Sequence, residues 1–182
     1  MQVFKFFAGG VLFTFGILAF LAWVILPGEF EITEQVEINQ PPSKTFAIIN
    51  DLQTWEAWVF DKQVEKVPET NYSTIRAGEG AKVVWTYPEG NRVEISIVET
   101  IPTEKIAFIY KTPGETDQTH ILVTLKSNDQ GGTLLTWQHA GEYGWGIAAR
   151  ISASMLDFEG TTAEIYSAQL ARLKTYVENS RQ

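Results

Sequence analysis

Hydrophobic and polar positions divide the chain into three regimes. From Phe6 to Gly28 no side chain is charged, and Phe, Leu, Ile, Val, Ala and Gly predominate. A helix rises about 1.5 Å per residue, so a run of this length matches a hydrocarbon core of about 30 Å. It predicts a transmembrane anchor over residues 6–26, with Trp23 near one interface and Pro27-Gly28 ending the helix. A cleaved signal peptide would have a shorter apolar region and a small-x-small cleavage site, which Phe20-Leu21-Ala22 does not supply.

Beyond Gly28 the period becomes two. Phe30, Ile32, Val36 and Ile38 share one face of a half-buried strand, and Glu31, Thr33, Gln35 and Glu37 share the other. Asn39-Gln40-Pro41-Pro42 breaks that strand. Pro42 suits the first turn of a short helix through Thr45–Ile49, and Asp51–Trp58 follows as a second short helix or tight turn. Val64–Val67 is a weak strand candidate. Stronger alternation recurs at Ala81-Val83-Trp85-Tyr87, at Val93-Ile95-Ile97 running out to Ile101, at Ile106-Phe108-Tyr110, at Ile121-Val123-Leu125 and over Leu134–Ala140. Pro88-Glu89-Gly90-Asn91 and Ser127–Gly132 mark turns.

The third regime is helical. Tyr166, Leu170, Leu173 and Val177 recur at four, three and four residues and draw one apolar face. This helix is expected to start near Thr161, because Gly160 would weaken a helix interior. Residues 144–156 fit either a short helix or a loop. Successive strands with short turns make an antiparallel sheet, and the long amphipathic helix is available to cover one of its faces. The predicted class is α+β, in two parts: an anchor over residues 1–28 and one domain over 29–182.

Charge and composition narrow the picture. The chain has 14 Lys and Arg against 22 Asp and Glu, a formal net charge of −8. That excess opposes nucleic acid as a partner. No cysteine is present, which removes disulfides, thiolate metal sites and thiol nucleophiles together. No spacing of His, Asp and Glu reads as a metal site, Gly78-Glu79-Gly80 lacks the helix and Lys-Ser/Thr of a phosphate loop, and no cofactor is expected. Lys5 precedes the apolar run and Glu29, Glu31, Glu34 and Glu37 follow it. The positive-inside rule then orients the expected single-pass protein with its domain on the extracytoplasmic side.

Ile38-Asn39-Gln40-Pro41-Pro42-Ser43-Lys44-Thr45-Phe46, with Asp51-Leu52, Trp55 and Trp58 after it, resembles the opening of START-like helix-grip proteins. More narrowly it is similar to the polyketide cyclase/dehydrase and lipid-transport group, SRPBCC. Gly131-Gly132-Thr133-Leu134-Leu135-Thr136-Trp137 resembles that group's last hairpin and strand. The resemblance covers about residues 30–178. It implies a curved antiparallel sheet gripping the C-terminal helix around an apolar cavity that takes a lipid or other hydrophobic small molecule. It carries over no catalytic residue. Gly144-Trp145-Gly146 departs from the regular approach to the final helix.

In that frame Trp85, Tyr87, Phe108, Tyr110 and Trp137 fall on inward faces as candidate cavity walls, and Tyr166 closes from the helix side. Plain core packing is the competing reading for each. Trp55 and Trp58 are expected to pack the short helices onto the sheet. His120 and His139 lie on the two strands of one hairpin, and a symmetric register would oppose them. The apolar sets of both strands are odd-numbered, so like faces pair only with Leu125 opposite Leu135. In that register His139 joins Trp137 inside and His120 faces out. An ordinary hydrogen-bonded histidine is the alternative for His139. Glu142 follows at the strand's exit, as a partner for His139 at the cavity mouth or as a charged rim. The sequence thus points to a membrane-tethered binding domain. A cyclase- or dehydratase-type enzyme using His139, Tyr110 or Glu142, and an interaction module with a vestigial cavity, are its rivals.

Overall fold

The structure is a computed structural model of the 182-residue chain that describes residues 13–14, 16–17, 20–21, 23–64, 66–112, 118–143 and 146–180. The elements are β1 (Glu29–Ile38), α1 (Pro42–Asn50), a 3-10 helix (Leu52–Ala57), β2 (Glu69–Tyr72), β3 (Lys82–Thr86), β4 (Arg92–Ile101), β5 (Lys105–Lys111), β6 (Gln118–Ser127), β7 (Thr133–Glu142), α2 (Ile147–Met155) and α3 (Phe158–Asn179). The seven strands form one antiparallel sheet in the order β1-β7-β6-β5-β4-β3-β2. β2 to β7 form a meander, and the chain's first strand pairs with its last.

The alternation that marked the strands also orients them. On β1, Phe30, Ile32 and Ile38 are buried while Glu29, Glu31 and Glu37 are exposed. Leu125 pairs with Leu135, Ile121 with His139 and His120 with Ala140, the register that parity requires. The core lies between the sheet and the helices, where Ile49, Leu52, Trp55, Leu170, Leu173 and Val177 meet the inward strand residues. α3 is held at the β1 edge. Lys174 donates to the Glu37 carbonyl at 2.8 Å, and Ser167 donates to the Glu34 carboxylate at 2.6 Å. Arg172 reaches the other way, donating from Nε and Nη2 to the carbonyls of Trp58 and Val59, each at 2.9 Å.

Four expectations change. The second strand is not Val64–Val67 but β2 at Glu69–Tyr72, a short polar edge strand with no apolar alternation. β4 loses register between Ile97 and Glu99. One extra residue there reverses the parity, so Ile101 is exposed although Ile95 and Ile97 are buried. α3 begins at Phe158, three residues before the expected start. Asp157, in the left-handed conformation (φ 47°), caps it by accepting from the Gly160 amide. A β-carbon at residue 160 would overlap that carboxylate, so Gly160 belongs to the cap. Ile147–Met155 resolves the ambiguous segment as a helix, while Gly144 and Trp145 lie outside the described residues.

The transmembrane anchor is the fourth and largest correction. Much of the 6–26 run lies outside the described residues. Among those described, no helix is long and apolar enough to cross a membrane. Positions 13, 14, 16, 17, 20, 21 and 23–25 are helical. The expected single-pass membrane localisation, with the domain outside the cytoplasm, rested on hydropathy and flanking charge and is overturned. What is described of this segment touches the domain: Arg150 donates to the Trp23 carbonyl at 3.3 Å and lies 5.9 Å from its ring centre.

Candidate functional site

The inward side chains of the curved sheet do not fill the space beneath α3. A cavity of about 490 Å³ remains, partly open to solvent. Phe30 of β1, Trp55 of the 3-10 helix, Trp85 of β3, Tyr87 beyond it, and Val93 and Ile95 of β4 line one part. Tyr110 of β5, Thr119 and Ile121 of β6, Trp137 and His139 of β7 line another. Phe158, Thr162, Ile165, Tyr166 and Gln169 of α3, with Thr112, complete the described wall. Its volume is in the range of small-molecule sites. No described lining residue is Asp, Glu, Lys or Arg.

Six of the seven sequence-predicted wall residues are on this surface: Trp85, Tyr87, Tyr110, Trp137, His139 and Tyr166. Phe108 is not. It is fully buried beneath the wall, its ring centre 5.1 Å from Trp55 and 6.2 Å from Trp137. Trp55 takes a wall position that the sequence had reserved for packing, and it still packs. Its Nε1 donates to the Ile49 carbonyl at 2.8 Å, and its ring lies 5.1 Å from Trp58.

The polar centre is His139, 5% exposed. Its Nδ1 lies 2.6 Å from the Tyr166 hydroxyl and its Nε2 lies 2.7 Å from Thr119 Oγ1. Phe30 stands edge-on to the imidazole at 5.2 Å. Burial lowers the His139 pKa from 6.5 to about 4, so the ring is neutral at ordinary pH. A neutral imidazole has one donor and one acceptor, so Tyr166 and Thr119 take opposite roles around it. Burial first, then the nearby Tyr110, pushes the Tyr166 phenol upward, so it keeps its proton. The cluster therefore presents hydroxyls and a neutral ring to an apolar cavity, with no fixed charge.

Thr119 was missed from the sequence. It shares the odd-numbered inward face of Ile121 and Val123, and a hydroxyl at that place is the signal that was available. Gly141 holds it in position. A β-carbon there would overlap the Thr119 methyl and press on the Phe30 ring at 3.0 Å. Glu142 does not join the cluster. It is exposed and lines a groove with Glu29, Glu31 and His120 on the opposite face of the sheet. It lies three positions after His139, an odd offset, so a strand directs the two to opposite sides. His120 shares that outer groove, away from His139. Among the described residues no group of three or more His, Asp or Glu is placed to hold a metal.

A helix gripped by a curved antiparallel sheet, with an aromatic cavity between them, can be compared with known families. The model of the family described as polyketide cyclase / dehydrase and lipid transport matches residues 29–178. The chain belongs to this family. A protein of unknown function from Staphylococcus aureus superposes with a TM-score of 0.64 at 14% identity, covering 85% of this chain and 96% of that one. The Aha1 dimer from Colwellia psychrerythraea gives a TM-score of 0.58 at 14% identity, covering 84% and 99%. A protein from the dynemicin biosynthetic locus gives 0.57 at 15% identity. It covers 82% of this chain, and this chain spans about half of that one, 47%. At such identities these likenesses show the fold alone. No curated protein matches the chain.

Proposed function

We propose that the domain binds a hydrophobic small molecule or lipid in the cavity under α3 and does not transform it. The observation that carries this reading is the cavity itself, walled by aromatic rings around the neutral His139 cluster. Apolar area supplies the affinity, and a few convergent polar groups orient the ligand. Membership of the polyketide cyclase/dehydrase and lipid-transport family supports the same reading.

The bonding of His139 weighs against catalysis. Both ring nitrogens already have partners, at 2.6 and 2.7 Å, and a general base needs one nitrogen within reach of the substrate's proton. Glu142, the other acid–base candidate, lies on the far face. His139 then orients Tyr166 and Thr119 as hydroxyls for a ligand. Native mass spectrometry and solvent extraction of the purified full chain test the reading. A co-purifying apolar compound, lost when Tyr166 or Trp137 is replaced by Ala, is expected. Consistently ligand-free protein that also fails to take up apolar probes would overturn it.

A further inference from the structure

α2 (Ile147–Met155) is nine residues long, and none of its residues is buried. A helix that short is marginal in water on its own and draws its stability from packing an apolar face. Its two sides are used differently. Arg150 turns to the N-terminal segment, donating to the Trp23 carbonyl at 3.3 Å, and lines a small pocket with Pro27, Ala153, Ser154 and Asp157. Ala148, Ile151, Ser152 and Met155 fall at i, i+3, i+4 and i+7, which places them together on the other side, and all four are exposed. Met155 is 80% exposed, and Leu156, where the helix ends, is 74% exposed. Trp23, Val24 and Ile25 add exposed apolar surface next to α2.

We infer that this face is a homodimer interface, in which α2 packs antiparallel on α2 of a second copy about a two-fold axis. Self-complementarity is the first reason that the occupant is a second copy. An axis between Ile151 and Ser152 sets Ala148 opposite the partner's Met155 and Ile151 opposite the partner's Ser152. Each large side chain then meets a small one, the arrangement that lets two helices interdigitate, and the contact is closed by symmetry. Area is the second. The exposed Ile151, Met155, Leu156, Trp23, Val24 and Ile25 offer on the order of 700 Å². That exceeds the largest apolar patch of a typical monomer, about 300–600 Å², and is close to the about 800 Å² per partner of a specific interface. Charge is the third. The chain carries a net charge of −8, so copies repel one another over most of their surface. Between residues 146 and 156 the one charged residue is Arg150, already turned to Trp23, so the face holds no carboxylate to oppose its own image. The inference is independent of what the cavity holds.

Multi-angle light scattering of the full chain without detergent, over a concentration series, tests this. A monomer–dimer equilibrium is expected. Ile151→Glu brings two carboxylates near the axis and should weaken the dimer about tenfold or more. Ala148→Leu should weaken it too, because a large side chain then meets the partner's Met155. The same change adds apolar surface, so tighter association of that variant would reveal non-specific adhesion and overturn the pairing. The chain has no cysteine, so Ser152→Cys, beside the axis, supplies a unique thiol. It should give a disulfide-linked dimer on air oxidation, whereas Glu89→Cys, in the exposed β3–β4 turn, should not. Equal crosslinking of the two overturns the inference. So does a monomer at every concentration, or an open series of larger aggregates. A dimer that phosphatidylcholine vesicles dissociate overturns it as well, because a lipid surface is then the occupant. Should a variant fail to fold, the wild-type scattering still decides.

Discussion

The Tyr166 hydroxyl lies 2.6 Å from Nδ1 of His139, joining α3 to β7 across the cavity. With Thr119 on Nε2 at 2.7 Å, the imidazole is bonded at both nitrogens inside an apolar wall. A buried ring with both nitrogens used is rigid in orientation and in tautomer. Tyr166→Phe leaves Nδ1 without its partner. The expected cost is about 1–3 kcal/mol in urea unfolding. The tautomer balance should shift with it, seen in the 15N shifts of His139. Unchanged stability together with unchanged shifts would show that the bond is absent in solution.

The His139 pKa makes stability depend on pH in a definite direction. In the unfolded chain the imidazole takes up a proton near pH 6.5, whereas in the folded protein it does so only near 4. Between those values the unfolded state binds more protons, so stability falls as pH falls and levels off below about 4. The loss from this one group between pH 7.5 and 4.5 is on the order of 2–3 kcal/mol. Comparing wild type with His139→Gln at both pH values isolates it from the carboxylates. The variant should lose less than the wild type by that amount, and equal losses would refute the assignment.

Arg172 anchors the 3-10 helix's exit to α3 through the carbonyls of Trp58 and Val59. Arg172→Ala should cost about 1–3 kcal/mol, since two carbonyls lose a charged donor. Arg172→Lys should recover less than half of that, because an ammonium cannot reproduce the planar fork. Thermal denaturation of the three proteins reads the order directly.

Gly141→Ala places a methyl group against Thr119 and Phe30. Overpacking of this kind costs about 1–3 kcal/mol. Displacing Thr119 also breaks its bond to His139, so apolar-probe affinity should fall with stability. Ala140→Gly, one residue away on the opposite face, should leave probe affinity unchanged.

Much of this arrangement was legible because strand parity is strict. Odd-numbered apolar positions on β6 and β7 determined the Leu125–Leu135 pairing, and with it the inward course of His139 and the outward course of His120. The same rule, applied to Glu142, would have separated it from His139 at once. The β4 irregularity was not legible, because an extra residue at Val98 leaves no mark in an apolar stretch. β2 was missed because Glu69–Tyr72 has no periodic signal at all. The division between wall and core was also hidden. Phe108 and Trp137 both point inward with the same strand parity, yet Trp137 lines the cavity and Phe108 is buried beneath it. Hydropathy misled at the N-terminus, where a run of apolar letters was read as a span without any packing partner in view.

The pairing of β1 with β7 has a consequence for the order of assembly. Gln35 bonds to Thr136 across 101 residues of sequence, while every other strand pairs with a neighbour in the chain. During synthesis the opening strand leaves the ribosome long before its mate exists, and closing so long a loop is slow. An unmated apolar strand is a template for association with other chains. Glu29, Glu31 and Glu37 put carboxylates along the outward face of β1, while Glu34 turns inward to Ser167 of α3. The acidic face that once suggested a topological signal is then a gatekeeper, keeping nascent chains apart until the last strand arrives.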